Sequence, residues 1–223
     1  MAKKLKFIKE IGADSAAGYI AQQIQKRLAS GKKVAWFLSG GSAIGAAVLA
    51  ARLLNPNPNL TVTLADERYG PPGHPDSNWE QLIDAGFQLN DAHLEPVLRG
   101  GNADQTLADF EHLISGLLSK AGYKIALLGI GADGHTAGIL PYSPAVNSKG
   151  LVSFYGTPGY QRITLTPKAL AMLDEAVVYA MGNNKHQALR GLSNDLQLEI
   201  QPAQILKKIP RVTIYNDVRG DSL

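Results

Sequence analysis

Val34-Ala35-Trp36-Phe37-Leu38 runs directly into Ser39-Gly40-Gly41-Ser42, and an alanine-rich stretch from Ala43 to Leu54 follows. Five apolar residues without polar alternation read as a strand covered on both faces. The alanine-rich stretch reads as a helix closed by Asn55-Pro56. Between them, two glycines let the backbone approach a ligand closely. The helix start offers free N–H groups and roughly half a positive charge. Strand, glycine turn and helix in succession are the repeating unit of an α/β sheet.

Working outward, Leu60-Thr61-Val62-Thr63-Leu64, Ile125-Ala126-Leu127-Leu128, the run from Ala176 to Met181 and Val212-Thr213-Ile214-Tyr215 repeat the strand signal. Ile163-Thr164-Leu165 is a shorter one. Ala17, Ile20, Ala21, Ile24 and Leu28 fall at helical spacing before Gly31. Further helices are expected over residues 79–87, 104–119 and 185–192, with a short one started by Thr166-Pro167. The pattern predicts one α/β domain over residues 1–223: a Rossmann-like, mostly parallel sheet with helices on both faces.

The 223 residues carry 22 Lys and Arg against 19 Asp and Glu, a net charge of +3 spread without blocks. That balance argues against a nucleic-acid partner and does not repel a small anion. With no cysteine, disulfides, thiolate nucleophiles and cysteine-ligated metals are excluded. Met1-Ala2-Lys3-Lys4-Leu5-Lys6-Phe7 lacks the apolar run of a signal peptide. No stretch approaches the roughly 18 apolar residues of a membrane span. A cytoplasmic protein without a membrane partner is expected, as a monomer or small homo-oligomer. Arg219-Gly220-Asp221 matches an adhesion tripeptide by chance.

Ligands of open α/β sheets collect beyond the carboxyl ends of the strands, and four polar clusters fall there. The first is Ser39-Gly40-Gly41-Ser42, which also reads as a plain turn with a serine helix cap. The second is Asp66-Glu67-Arg68-Tyr69, continuing through His74 to Ser77-Asn78. Three charged residues at a strand end read as the rim of a site rather than as buried groups, and Ser77 or Asn78 also suits a helix cap.

The third cluster is Gly129-Ile130-Gly131-Ala132-Asp133-Gly134-His135. Its glycines should present Asp133 and His135 at the sheet edge. Histidine suits proton transfer near neutral pH, and a neighbouring carboxylate can fix its tautomer. The EF-hand pattern of acidic ligands is absent, and no metal site is expected. The fourth is a pair of cations, Arg162 and Lys185. A lysine opening a helix opposes the helix dipole unless an anion lies between them, which points to phosphate. Arg162 equally fits a surface strand.

Together these segments resemble the 6-phosphogluconolactonase family, within the wider group that includes glucosamine-6-phosphate deaminases. Ser39 to Ser42 is similar to that family's phosphate loop. Asp66-Glu67-Arg68 keeps the register of its second motif through Pro71, His74 and Ser77-Asn78. Gly129 to Pro141 is similar to its histidine loop, and Arg162 to Thr166 and Gly182 to Lys185 to two later cation-bearing segments. The resemblance implies hydrolysis of 6-phosphoglucono-1,5-lactone to 6-phosphogluconate in the pentose phosphate pathway, with no cofactor. It implies His135 as the base that activates water, with Asp133 orienting it or a sugar hydroxyl. Arg68 would face the carbonyl oxygen and Asp66 the sugar hydroxyls. Arg162 and Lys185 would hold the phosphate with Ser39, Gly40, Gly41 and Ser42, and Gly131 would line the substrate.

Two stretches depart from the family pattern. Ala43-Ile44 stands where Thr-Pro is usual, and Gly138-Ile139-Leu140 where Ser-Leu-Phe is usual. The deaminase relatives carry a glutamate shortly after the histidine that Thr136 to Pro141 lacks, although Asp66 remains able to take a proton. A sugar-phosphate binder without turnover is the alternative of a different class.

Overall fold

Strands without polar alternation need cover on both faces, and right-handed connections decide where that cover lies. The structure is a computed structural model that describes residues 5–220; Met1 to Lys4 of the N-terminal segment and Asp221 of the tripeptide lie outside the described residues. Its first half comprises β1 (Leu5–Lys9), α1 (Asp14–Ala29), β2 (Val34–Leu38), α2 (Ile44–Leu53), β3 (Leu60–Leu64), β4 (Asp66–Tyr69), α3 (Asn78–Asp84), β5 (His93–Glu95) and α4 (Ala103–Lys120). The second half comprises β6 (Tyr123–Leu128), β7 (Val152–Thr157), β8 (Tyr160–Leu165), α5 (Pro167–Leu170), β9 (Glu175–Ala180), α6 (His186–Gly191) and β10 (Arg211–Asn216).

Seven strands form one parallel sheet in the order β1-β10-β9-β6-β2-β3-β5. All of β2 is buried in its interior, beside the central strand β6. The chain steps from β1 to β2, β3 and β5, then returns past β2 to β6 and continues to β9 and β10. Right-handed crossovers then put α1 and α2 on one face and α4 and α6 on the other. The direction reverses between β2 and β6, so the loops leaving those neighbours diverge and open a crevice at the carboxyl edge. The result is the single α/β domain expected.

A second sheet, antiparallel in the order β4-β8-β7, hangs on that edge. Asp66 to Tyr69, expected as a polar cluster following a strand, is itself strand β4. Only Ala65 separates it from β3. The Ala65 N–H donates to Leu38 at 2.7 Å and its carbonyl accepts from Leu165 at 2.8 Å, which fastens both sheets together. Other boundaries shift slightly. The helix expected from residue 43 starts with a 3-10 turn over Gly41–Ala43, and the one expected to residue 87 ends at Asp84.

At the opposite edge a buried charge plays a structural part. Fully buried Glu175 accepts hydroxyl bonds from Tyr19 and Tyr123, both at 2.6 Å, and one from Arg211 Nε at 2.9 Å. This joins the starts of β6, β9 and β10 to α1. Burial pushes the Tyr19 hydroxyl up to about 12, with Glu175 adding to the rise. Among the described residues no helix is long and apolar enough to cross a membrane.

Candidate active site

Side chains on a strand alternate between its faces, and in β4 that alternation separates two jobs. Asp66 and Arg68 share one face, opposite Thr164 and Arg162 of β8. Glu67 points the other way and is fully buried, which corrects the expectation that all three charges sit at a rim. Its Oε1 accepts from the N–H groups of Arg68 (2.7 Å) and Asn78 (2.6 Å), and its Oε2 from Ser77 Oγ (2.8 Å) and the Trp79 N–H (3.0 Å). Burial pushes its carboxyl up, and those four donors oppose the rise. Glu67 is the bracket that ties the start of α3 to β4. Ser77 also caps α3, accepting from the Glu80 N–H at 3.1 Å.

Arg68 and Arg162 are directly opposed across the β4–β8 ladder, an unfavourable pairing of like charges. Asp66 offsets part of it, with Oδ2 3.7 Å from Arg162 Nη1. Burial moves the Asp66 carboxyl above its ordinary range against the pull of Arg162, Arg68 and His135. Arg162 is therefore turned inward toward Asp66, its side chain only 14% exposed, rather than out from a surface strand.

The loop after β6 turns tightly. The Gly131 N–H donates to the His135 carbonyl at 2.9 Å, and the Gly134 N–H to the Gly131 carbonyl at 3.0 Å. This folds His135 back so that its Nδ1 lies 2.6 Å from Asp133 Oδ1. The ring bond is the main cause holding the Asp133 carboxyl below its usual range. An ionised carboxylate only accepts, so Nδ1 is the nitrogen that donates to Asp133, and in the neutral ring the lone pair is then on Nε2. Gly131 makes room for this arrangement, since a Cβ there would stand 2.1 Å from His135 Nδ1. Gly131→Ala should therefore displace the ring and lower kcat by about a hundredfold, the cost of misplacing a reacting group by about 1 Å. Steady-state kinetics beside a melting curve test this, and an alanine variant with wild-type kcat would show that the ring is not set by that contact. Beyond the histidine, Gly138 packs on β8: its N–H donates to Thr164 Oγ1 at 3.0 Å, and a Cβ would stand 2.8 Å from Thr164 Cβ.

The catalytic and phosphate-binding candidates other than Asp133 border one cavity of about 300 Å³ at the carboxyl edge, whereas Glu67, His74 and Ser77 of the second cluster do not. Asp133 reaches it only through His135. Three cations, Arg68, Arg162 and Lys185, face it with one carboxylate, Asp66. Lys185 Nζ donates to Ser42 Oγ at 2.8 Å, so Ser42 is bonded to the lysine and caps no helix. Burial lowers the Lys185 ammonium below its ordinary range, with Asp217 opposing. Among the described residues no group of three or more His, Asp or Glu side chains could hold a metal ion.

Asn78, which the sequence leaves between helix cap and ligand contact, and Asn184, which it does not mark, also border the cavity. Asn78 is 1% exposed. Its Nδ2 donates to the Asp66 carbonyl at 2.9 Å and lies 3.4 Å from Asp66 Oδ2. Its Oδ1 faces Gly40, 2.0 Å from where a Cβ would sit, and has no partner. Ser39 Oγ, Arg68 Nε and Arg162 Nε are likewise buried without partners. Buried polar atoms are nearly always bonded, so these four mark a cavity whose walls suit a polar ligand or ordered water.

This arrangement can bind an anion at several points and present a base beside it. A profile of the family described as Glucosamine-6-phosphate isomerases/6-phosphogluconolactonase matches residues 9–214. The chain belongs to this family. It is 30% identical over 167 residues to a 6-phosphogluconolactonase of Nostoc sp., covering 68% of each chain. It superposes on the crystal structure of a 6-phosphogluconolactonase from Thermotoga maritima with a TM-score of 0.81 and 23% identity, covering 95% of this chain and 98% of that one. It also superposes on a monomeric glucosamine-6-phosphate deaminase with a TM-score of 0.77 and 20% identity, covering 96% and 97%. The isomerase/lactonase family thus carries both activities on this fold, and the choice between them rests on the site.

Proposed function

We propose that the chain is a 6-phosphogluconolactonase of the pentose phosphate pathway, hydrolysing 6-phospho-D-glucono-1,5-lactone to 6-phospho-D-gluconate. The observation that carries this reading is the Asp133–His135 pair on the same cavity as Arg68, Arg162 and Lys185. Lys185, Arg162 and the Ser39–Ser42 turn hold the phosphate, while Asp66 accepts from sugar hydroxyls. His135 Nε2 takes a proton from water as its oxygen adds to the lactone carbonyl carbon. Arg68 stabilises the negative charge that develops on the carbonyl oxygen. The ring C–O bond then breaks, and the departing oxygen takes the proton back from the imidazolium. A lactone is an activated ester, so a positioned base and an electrophilic donor suffice.

The stretch after the histidine favours hydrolysis over deamination. Thr136 to Ile139 closes as a turn, with the Ile139 N–H on the Thr136 carbonyl at 3.1 Å, and it carries no carboxylate. We place the enzyme in the cytoplasm, as a monomer or small homo-oligomer built on one catalytic domain. The deciding assay supplies the purified protein with the phosphorylated lactone, and separately with glucosamine 6-phosphate. Acid release above the spontaneous rate is expected from the first. Ammonia from the second, without acid from the first, would overturn the proposal.

Lys185→Ala should raise KM for the phosphorylated lactone by about 10–100-fold, the loss of a charge-assisted contact. Turnover of unphosphorylated gluconolactone should stay near wild type. Equal losses on both substrates would remove Lys185 from the phosphate site.

A further inference from the structure

The turn that presents Lys185 has an anchor of its own, outside the cavity. β9 and β10 are parallel neighbours, so their carboxyl ends lie side by side. Asp217, the first residue past β10, reaches from there to the segment after β9. Its Oδ2 accepts from the Gly182 N–H at 3.0 Å, and its Oδ1 stands 3.3 Å from His186 Nε2. These contacts bracket the 3-10 turn Asn183–Lys185 on both sides. Within the bracket the Lys185 N–H closes the turn on the Gly182 carbonyl at 2.9 Å. The Lys185 ammonium then spans to Ser42 in the loop after β2.

Burial works against ionisation of Asp217. The Gly182 amide and the His186 ring outweigh it and hold the carboxyl below its usual range. The resulting negative charge also opposes the burial that weakens the Lys185 ammonium. We propose that Asp217 is a positioning residue for phosphate recognition, clasping the Gly182–His186 segment so that Lys185 is preset against the Ser39–Ser42 turn. A lysine has a long flexible stem and gains specificity only where its base is fixed. Asp217 does not border the cavity, so it acts through Lys185. The inference rests on the reading of Lys185 as a phosphate ligand.

The test compares Asp217→Ala, Asp217→Asn, Lys185→Ala and the double variant Asp217→Ala/Lys185→Ala. It measures KM and kcat on phosphorylated and unphosphorylated gluconolactone, and binding of inorganic phosphate by calorimetry. Asp217→Ala should raise KM for the phosphorylated substrate and weaken phosphate by about tenfold, the loss of one hydrogen bond to a charged group. Its kcat, and turnover of the unphosphorylated lactone, should be unchanged. Asp217→Asn keeps an acceptor for Gly182 and should weaken phosphate by only about threefold. In the double variant the loss should not exceed that of Lys185→Ala, as coupled residues require. Equal losses on both lactones, a fully additive double variant, or wild-type phosphate affinity in Asp217→Asn would each overturn the proposal. Should the wild type hydrolyse neither lactone, the functional reading fails, and the phosphate measurements still decide the role of Asp217.

Discussion

His135→Ala is expected to lower kcat for lactone hydrolysis by about 10²–10⁴-fold, the usual share of a general base, with KM little changed. The tautomer argument makes this specific. Asp133 accepts from Nδ1 at 2.6 Å, which leaves Nε2 as the nitrogen able to take a proton from water. Asp133→Asn should fall between wild type and His135→Ala, because an amide can present either its oxygen or its NH₂ to the ring and supports the productive tautomer only part of the time. Rates must be corrected for spontaneous hydrolysis, which is appreciable for an activated ester. Equal rates above that background in wild type and His135→Ala would sink the mechanism.

How far the site could be read ahead of the structure depended on which sheet carried each residue. The strands of the parallel sheet announce themselves because burial on both faces demands unbroken apolar runs, as in Val34 to Leu38. Their carboxyl ends then locate the loops that hold Ser39 to Ser42, His135 and Lys185. In the antiparallel sheet only Ile163-Thr164-Leu165 of β8 gives such a signal. β4 is four residues of which three are charged, β7 mixes buried with exposed positions, and the first half of β8 is not buried. Pro158-Gly159 between β7 and β8 was the readable hairpin sign. Missing that ribbon hid the cross-strand pairing of Arg68 with Arg162. It also hid the alternation that buries Glu67 while leaving Asp66 on the cavity. The edge strands β1 and β5 escaped for a related reason: β1 alternates and β5 has only three residues. Asn78 lay in a motif already noticed, but local sequence cannot separate a helix cap from a cavity residue. Ser77 does the capping, and Asn78 turns to Asp66.

The largest effect on stability is expected at Glu67, which touches no substrate in the proposed mechanism. Its two oxygens satisfy three backbone N–H groups and the Ser77 hydroxyl. Glu67→Ala leaves these donors buried without acceptors, and unmade bonds of this kind cost about 1–3 kcal/mol each, partly relieved by relaxation. Adding the cavity left by the lost side chain, a net loss of about 3–5 kcal/mol follows, a large fraction of the roughly 5–15 kcal/mol that holds a domain folded. Glu67→Gln keeps the shape but sets an NH₂ group against donors, so it should recover only part of the loss. Denaturant melts read both values, and a Glu67→Ala variant within about 1 kcal/mol of wild type would show that the bracket is dispensable. The same bracket sets the activity of whatever remains folded. Glu67 fixes the backbone of Asn78, and Asn78 in turn donates to Asp66. The folded fraction of Glu67→Ala should therefore also lose kcat, whereas a purely structural defect distant from the cavity would lower only the amount of active protein.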